Sequence, residues 1–186
     1  MTRQRCFGTG DPLYEAYHDE EWGHPAPDSP DERELFERIA LEGFQSGLSW
    51  ITVLRKRPRF REVFHDFAPA AVAAFDESDI ERLLGDPGIV RNRLKIEATI
   101  SNAKAMLAMH ERGERLAEVI AAHTPPPRGR APERDEVAVQ TPESAELSRS
   151  LKKLGFRFVG PTTAYATMQA VGAVDDHVVG CWLAQR

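Results

Sequence analysis

Cysteine is nearly absent. Cys6 and Cys181, near opposite ends of a 186-residue chain, are the only two. A disulfide-dense scaffold is thereby excluded, and in a reducing cytosol the pair reads as two buried free thiols or two ligands of one metal. Long apolar runs are absent too. No stretch approaches the roughly 20 apolar residues of a membrane span, and "MTRQRCFGTGDPLY" lacks the apolar core of a signal peptide. The expectation is a cytoplasmic protein with no membrane contact. Nor does any segment sustain the period-two alternation a sheet needs, and there is no internal repeat, so the fold class is all-α.

What is present suits an ordinary globular protein: 41% hydrophobic and 28% charged residues. The length allows one sizeable core, and the expected organisation is a single unit over 1–186 with an exposed loop at about 123–140. The net charge of −5 is unevenly spread, with ten acidic residues against one basic, Arg33, between Asp11 and Glu37. The remainder is therefore basic, and its charge clusters at Arg55, Lys56, Arg57, Arg59 and Arg61, at Arg91, Arg93 and Lys95, and at Arg149, Lys152, Lys153 and Arg157. A polyanion responds to such patches rather than to the overall charge. From charge alone, the plainer reading is three solvated helix faces.

Helical signals run nearly throughout. "DPLYEAYHDEEWG" has Asp11 as N-cap, a proline at the first helical position and a glycine past the end, with Tyr14 and Tyr17 on one face and His18 a turn beyond Tyr14. Further helices are predicted over 31–44, over 48–57 with a stop at Pro58, around Phe60, Val63, Phe64 and Phe67, and over 69–75. Ser78 is placed as the cap of a helix through Leu84, followed by the "GDPG" turn at 85–88 and a long helix with Ile96, Ile100, Ala103 and Leu107 inward. Segments 116–122, 141–155 and 161–171 complete the helices, while 123–140 reads as loop and "FRFVG" as extended.

Three features invite chemistry. A helix, a glycine-containing turn and a second helix with Arg91, Asn92 and Lys95 after it can hold one phosphodiester through free N–H groups and basic side chains. A plain helical hairpin fits the same spacing. His177 and Cys181 fall four apart, on one side of a helical turn, and with Cys6 and His18 would make a closed tetrahedral zinc set. Two inert thiols and two partly exposed histidines are the alternative. Finally, Leu35, Ile39 and Glu42 share one helical face, which puts a carboxylate on an apolar stripe. Without further information that residue reads as a buried carboxylate paired with an arginine or backbone N–H groups.

"DPLYEAYHDEEWG", "LEGFQSGLSWITVLRKR", "DPGIVRNRLKIEA", "LKKLGFRFVGPTTAYATMQAVG" and "DDHVVGC" together resemble the 3-methyladenine DNA glycosylase I family, over roughly 5–122 and 140–182 in order. The resemblance implies a helix-hairpin-helix repair glycosylase that hydrolyses the N-glycosidic bond of 3-methyladenine in double-stranded alkylated DNA and leaves an abasic site. It implies a monofunctional, monomeric enzyme with no nucleotide cofactor. A structural Zn2+ would be held by Cys6, His18, His177 and Cys181, joining the two chain ends. The base pocket maps onto Glu42, Tyr17 and Trp50 with Tyr14 nearby, the residues that wedge into the stack onto Gly47 and Leu48, and the hairpin's DNA contacts onto Gly88, Arg91 and Lys95. One departure stands out: the family commonly has a tryptophan shortly after its first cysteine, and "CFGTGDPLY" has none.

These assignments define an expected mechanism. The target base must leave the stack, at about a few kcal/mol, and Leu48 would plug the gap while Gly47 lets the backbone approach. Methylation at N3 makes the base cationic, so the π faces of Tyr17 and Trp50 attract it by about 0.5–2 kcal/mol and Glu42 supplies the opposite charge. No aspartate beyond the hairpin stands out as a catalytic carboxylate, so Glu42 is expected chiefly to recognise the base. The competing readings are a non-catalytic DNA-binding module, a glycosylase for another N3-alkylated purine and a zinc hydrolase, the last of which needs an open coordination position.

Overall fold

Aspartate, asparagine and threonine caps set where the helices begin. In the computed structural model, which describes residues 3–24 and 31–184, the side chains of Asp11, Asp31, Asp76, Asn92 and Thr141 each accept from a first-turn amide of the helix that follows. The helices are α1 (Pro12–Glu20), α2 (Glu32–Gln45), α3 (Trp50–Val63), α4 (Pro69–Ala73), α5 (Glu77–Leu84), α6 (Arg93–Glu111), α7 (Leu116–Ala121), α8 (Pro142–Lys153) and α9 (Pro161–Ala170). No strand occurs among the described residues, in keeping with the all-α expectation, and none of the described helices is long and apolar enough to cross a membrane. Phe36, Leu41, Phe44, Phe60, Phe64, Phe67, Ile96 and Met106 are fully buried in one cluster that α2, α3 and α6 share.

Several boundaries differ from the sequence reading. α3 starts at Trp50 rather than at 48, and it continues through Pro58 to Val63. An interior proline costs a helix about 3 kcal/mol. Here Phe60 and Phe64, both sealed from solvent just beyond it, reward continuing the helix instead of breaking it. The chain then reverses through His65, Asp66 and Phe67, all at positive φ. Stacking of Phe67 on Phe64, with centroids 5.4 Å apart, holds that strained turn. Asp76, not Ser78, caps α5, in a reciprocal box with Asp79. On α6, Leu107 is only half-buried while Met106 is sealed. "FRFVG" forms no ladder, and Phe158 within it adopts φ 55°. The 123–140 segment is less free than expected: Pro132 is buried, its carbonyl accepts from the Val179 N–H at 2.9 Å, and Arg134 reaches the Cys6 carbonyl at 3.2 Å.

The acidic segment and the first basic cluster neutralise each other. Arg57 bonds Glu37 at 2.8 Å and Glu21 at 2.6 Å, Arg61 bonds Glu37 at 2.7 Å, and Arg38 bonds Glu21 at 2.8 Å. Arg55 pairs with Asp11, Arg59 with Glu62 and Asp86, and Arg93 with Glu77 and Glu81. The pairs made by the buried Arg38 and Arg57 fix the relative placement of α1, α2 and α3. Together these pairs engage Arg55, Arg57, Arg59 and Arg61 of the first basic cluster, while Arg91, Lys152, Lys153 and Arg157 have no described carboxylate partner.

Lys95 is corrected most sharply. Instead of facing solvent beside a phosphate, it is 9% exposed and donates to the carbonyls of Phe44 at 2.8 Å and Ser46 at 2.6 Å. It caps the C-terminal end of α2, where helix carbonyls lack intrahelical partners and the dipole favours a cation. Burial holds its ammonium below the usual lysine range. A Lys95→Met protein is expected to lose about 2–3 kcal/mol of stability in urea melts, because two carbonyls become unsatisfied. A change within about 0.5 kcal/mol would contradict the capping role.

Candidate functional site

A cavity of about 230 Å³ lies where α1, α2, α3 and α9 converge. Tyr14 and Tyr17 enter it from one face of α1, Glu42 and Gln45 from the last turn of α2, and Trp50 from the first position of α3. The four residues mapped to a base pocket are therefore brought together. Tyr17 and Trp50 sit with ring centroids 5.2 Å apart and tilted by 43°. The Trp50 indole N–H is buried without a partner.

Sequence reasoning missed five further walls: Phe7, Trp22, Gln45, Ala166 and Gln169. Phe7 follows Cys6 directly, and its ring centroid lies 4.8 Å from that of Tyr14 and 5.0 Å from that of Trp22. Its position directly after Cys6 was the available signal. Gln169 had none, because a lone glutamine on a short helix looks like a solvated one.

Glu42 is 5% exposed, and no described group hydrogen-bonds its carboxyl, which opens onto the cavity. Burial raises the carboxyl from its ordinary 4.5 to about 8, against the partial opposing pull of Arg38 one turn earlier. The Arg38 guanidinium lies 5.9 Å from the Tyr17 ring centroid and is already bonded to Glu21 and Glu34. Burial, with the Glu42 charge second, pushes the Tyr14 and Tyr17 hydroxyls up, so both remain neutral donors. The site thus offers π faces around a carboxyl whose charge lacks a partner. It suits a flat, cationic guest.

At the end of α2 the chain turns through Ser46, Gly47 and Leu48. Leu48 is 40% exposed and lies in this turn, two residues before α3, not at the helix start as expected. The turn is held by the Leu48 N–H on the Gln45 carbonyl at 2.7 Å and by the Gln45 amide on the Leu48 carbonyl at 3.2 Å. Gly47 is exposed with φ +82° and nothing near its missing Cβ, so an external chain can approach its backbone closely.

The hairpin between α5 and α6 is present, but its glycine faces inward. The Gly88 N–H donates to the Asp86 carboxylate at 2.7 Å, and a Cβ there would meet Arg59 Cγ at 2.6 Å. Among the described bonds, the amides of Val90, Arg91, Arg93 and Leu94 have no acceptor instead. Arg91 is exposed, and no described carboxylate pairs with it.

Cys6, His18 and Cys181 converge, with one ligand atom from each lying within 4.8 Å of the others. Cys181 Sγ is 3.4 Å from His18 Nε2. His177 is brought beside them, its ring centroid 5.2 Å from that of His18, although residues 175–181 form an irregular turn rather than the helical one expected. Its Nε2 is buried with no partner. Each histidine engages a carboxylate through Nδ1, His18 with Asp19 at 2.9 Å and His177 with Asp175 at 2.7 Å. Such outer carboxylates are what orient metal-bound imidazoles. Burial also pushes the Cys6 thiol up to about 12, a cost that a bound cation reverses. The donor set therefore fits a metal.

A protein-family model described as methyladenine glycosylase matches residues 7–184. The chain is 50% identical over 181 residues to the DNA-3-methyladenine glycosylase 1 of Escherichia coli K12, covering 96% of this chain and 95% of that one. It is 46% identical over 180 residues to the DNA-3-methyladenine glycosylase of Haemophilus influenzae, covering 95% and 96%. A crystal structure of a 3-methyladenine DNA glycosylase I superposes with a TM-score of 0.91 at 50% identity, covering 97% of this chain and 99% of the other. A structure of the Staphylococcus aureus 3-methyladenine DNA glycosylase I, solved to explain its recognition of 3-methyladenine, superposes with a TM-score of 0.89 at 34% identity, covering 97% and 95%. With a family model spanning nearly the whole chain and relatives this close, the chain belongs to the methyladenine glycosylase family.

Proposed function

We propose that this protein, acting as a single monomeric unit over its length, excises 3-methyladenine from double-stranded alkylated DNA by hydrolysing the N-glycosidic bond. The observation that carries this reading is the partnerless buried carboxyl of Glu42 in a cavity walled by Tyr14, Tyr17 and Trp50. Outside the duplex, the cationic base meets those rings and lowers the affinity of Glu42 for its proton, which passes to solvent and leaves the ion pair the empty site lacks. When the glycosidic bond breaks, its electron pair passes to the ring and cancels the ring's positive charge. Water adds to the sugar carbon and releases a proton, leaving free base and an abasic site. Because the lesion is already a good leaving group, positioning and selective binding suffice, and Glu42 supports the developing sugar cation only secondarily.

Leu48 fills the vacated stack, Gly47 admits the strand, and Arg91 with the free amides of Val90 and Arg91 holds a phosphate. In this reading, Gly88 shapes the hairpin and Lys95 supports the Gly47–Leu48 turn from behind. Cys6, His18, His177 and Cys181 would hold a Zn2+ as a closed set of four, and the ion would then fasten the two ends of the chain and supply folding energy rather than an activated water.

Glu42→Gln is expected to lower 3-methyladenine release by about 10–100-fold, the loss of one hydrogen bond to a charged group. Release at the wild-type rate would reject the assignment. The same variant separates stability from function. A carboxyl raised from 4.5 to about 8 contributes stability fully below pH 4.5 and loses it as pH rises to about 8. Glu42→Gln should therefore match wild type in melts at pH 4 and exceed it by a few kcal/mol, to order of magnitude, at pH 8.

Arg91→Ala should reduce the slope of log affinity against log salt by about 1 on undamaged duplex, whereas Lys95→Met should leave that slope unchanged. Equal slopes for Arg91→Ala and wild type would remove Arg91 from the interface. For the metal, elemental analysis is expected to find one zinc per chain. Cys181→Ser should lose it and melt about 10 °C lower, the shift for a loss of roughly 3–5 kcal/mol in a chain this size. Full zinc content in that variant would dismiss Cys181 as a ligand.

A further inference from the structure

Residues 130–136 lie outside the family motifs and close on themselves. Arg130 grips the Glu136 carboxylate through two bonds, at 2.8 and 2.7 Å, and the Glu133 N–H donates to the same carboxylate at 2.8 Å. From this frame two groups reach the segments that carry the proposed metal ligands. The carbonyl of buried Pro132 accepts from the Val179 N–H at 2.9 Å, between His177 and Cys181. Arg134 directs both terminal nitrogens at the Cys6 carbonyl, each at 3.2 Å. Arg134 is exposed and no described carboxylate pairs with it, so its guanidinium serves that one carbonyl. The two segments also meet directly, through the Trp182 N–H on the Gln4 carbonyl at 3.0 Å and the Val178 N–H on Cys6 Sγ at 3.4 Å. The 132–134 stretch is the third party to that junction, and it bridges Cys6 on one side and His177 with Cys181 on the other.

We propose that residues 132–134 brace the metal site, with Arg134 as a positioning residue that holds Cys6 where it can ligate. The inference rests on the zinc assignment above. His18 rides on α1, whose ladder fixes its backbone, whereas Cys6 lies in no helix and has no such ladder. An ion with four ligands leaves by losing them one at a time, and the ligand on the least restrained backbone opens first. A guanidinium on the Cys6 carbonyl fixes the peptide group next to that ligand and slows the opening. Pro132 does the same for the turn between the two C-terminal ligands. Outer partners of metal ligands typically carry about 10–100-fold in metal affinity. Arg134 itself touches neither the ligand side chains nor the cavity.

The test uses the full chain, wild type and Arg134→Ala. Zinc transfer from the loaded protein to an excess of a chromogenic chelator gives the release rate. Cobalt titration against a competing chelator, followed by the thiolate-to-cobalt absorption band, gives the metal affinity of the folded protein. Arg134→Ala should bind cobalt about tenfold more weakly and release zinc about tenfold faster. Wild-type affinity and release rate overturn the proposal. So does a variant that melts lower without metal yet binds cobalt as tightly as wild type, because a merely structural contact moves stability and not affinity. If Arg134→Ala does not fold, Glu136→Ala, which unfastens the brace without removing Arg134, is read in the same way. Wild-type protein that takes up neither metal rejects the zinc assignment instead.

Discussion

A carboxyl buried without a partner is the constraint around which this molecule is arranged. Glu42 rides on the apolar face of α2 between Ile39 and Phe44, which are fully buried, and the helix cannot rotate it outward without exposing them. An ionised group so placed is normally neutralised by an adjacent arginine. Arg38 is one turn away, yet its guanidinium is committed to Glu21 and Glu34, and it only moderates the shift. The fold thus spends a nearby cation on a different contact and keeps the Glu42 carboxyl facing a cavity. That arrangement makes sense when the missing charge is brought by a ligand.

The rest of the architecture makes the cavity rigid. Ion pairs among Glu21, Glu37, Arg57 and Arg61 join α2 to α3 and to the end of α1, so the helices that carry Glu42, Trp50 and Tyr17 cannot slide independently. Lys95 fixes the end of α2 from α6. The Cys6–His18–Cys181 cluster acts on the same cavity from the other side. Phe7 follows Cys6, Tyr17 precedes His18, and Trp22 lies 4.8 Å from the His177 ring. Gly23 shows how closely these parts approach: with φ +70°, a Cβ there would stand 2.7 Å from His177 Cε1. Through Phe7, Tyr17 and Trp22, the N-terminal segment forms walls of the pocket and also supplies Cys6 and His18 to the cluster.

The helix starts were legible because capping is local chemistry. An aspartate or threonine before an apolar repeat, often followed by proline, has one good conformation, and Asp11, Asp31 and Thr141 each adopt it. The family motifs led to Glu42, Tyr17 and Trp50, and periodicity alone had already marked Glu42 as out of place. What failed was everything decided by tertiary partners. Pro58 does not end α3 because Phe60 and Phe64 have a core to enter. Solvated helix faces and a polyanion surface both stayed open for Lys95 and the first basic cluster, because the sequence does not show that carbonyls and carboxylates far along the chain would claim them. Gln169 was invisible for the same reason, since its orientation is imposed by Asp176.

Under the proposed function, selectivity follows from the same economy of charge. A neutral adenine reaching the cavity leaves Glu42 protonated, or ionised without a counter-ion, and in both cases the burial penalty persists. A cationic base removes it. A carboxyl lifted from 4.5 to about 8 carries a penalty on the order of a few kcal/mol, and relief of even part of that separates two purines that differ by one methyl group and one charge. Shape could not do this as well, because a single methyl in an apolar pocket is worth about 1–3 kcal/mol and the pocket must still release its product. In that reading, once the glycosidic bond breaks the base loses its charge, and the proton released by the added water or by solvent returns to Glu42. The interaction that favours the lesion on entry is therefore absent when the product leaves.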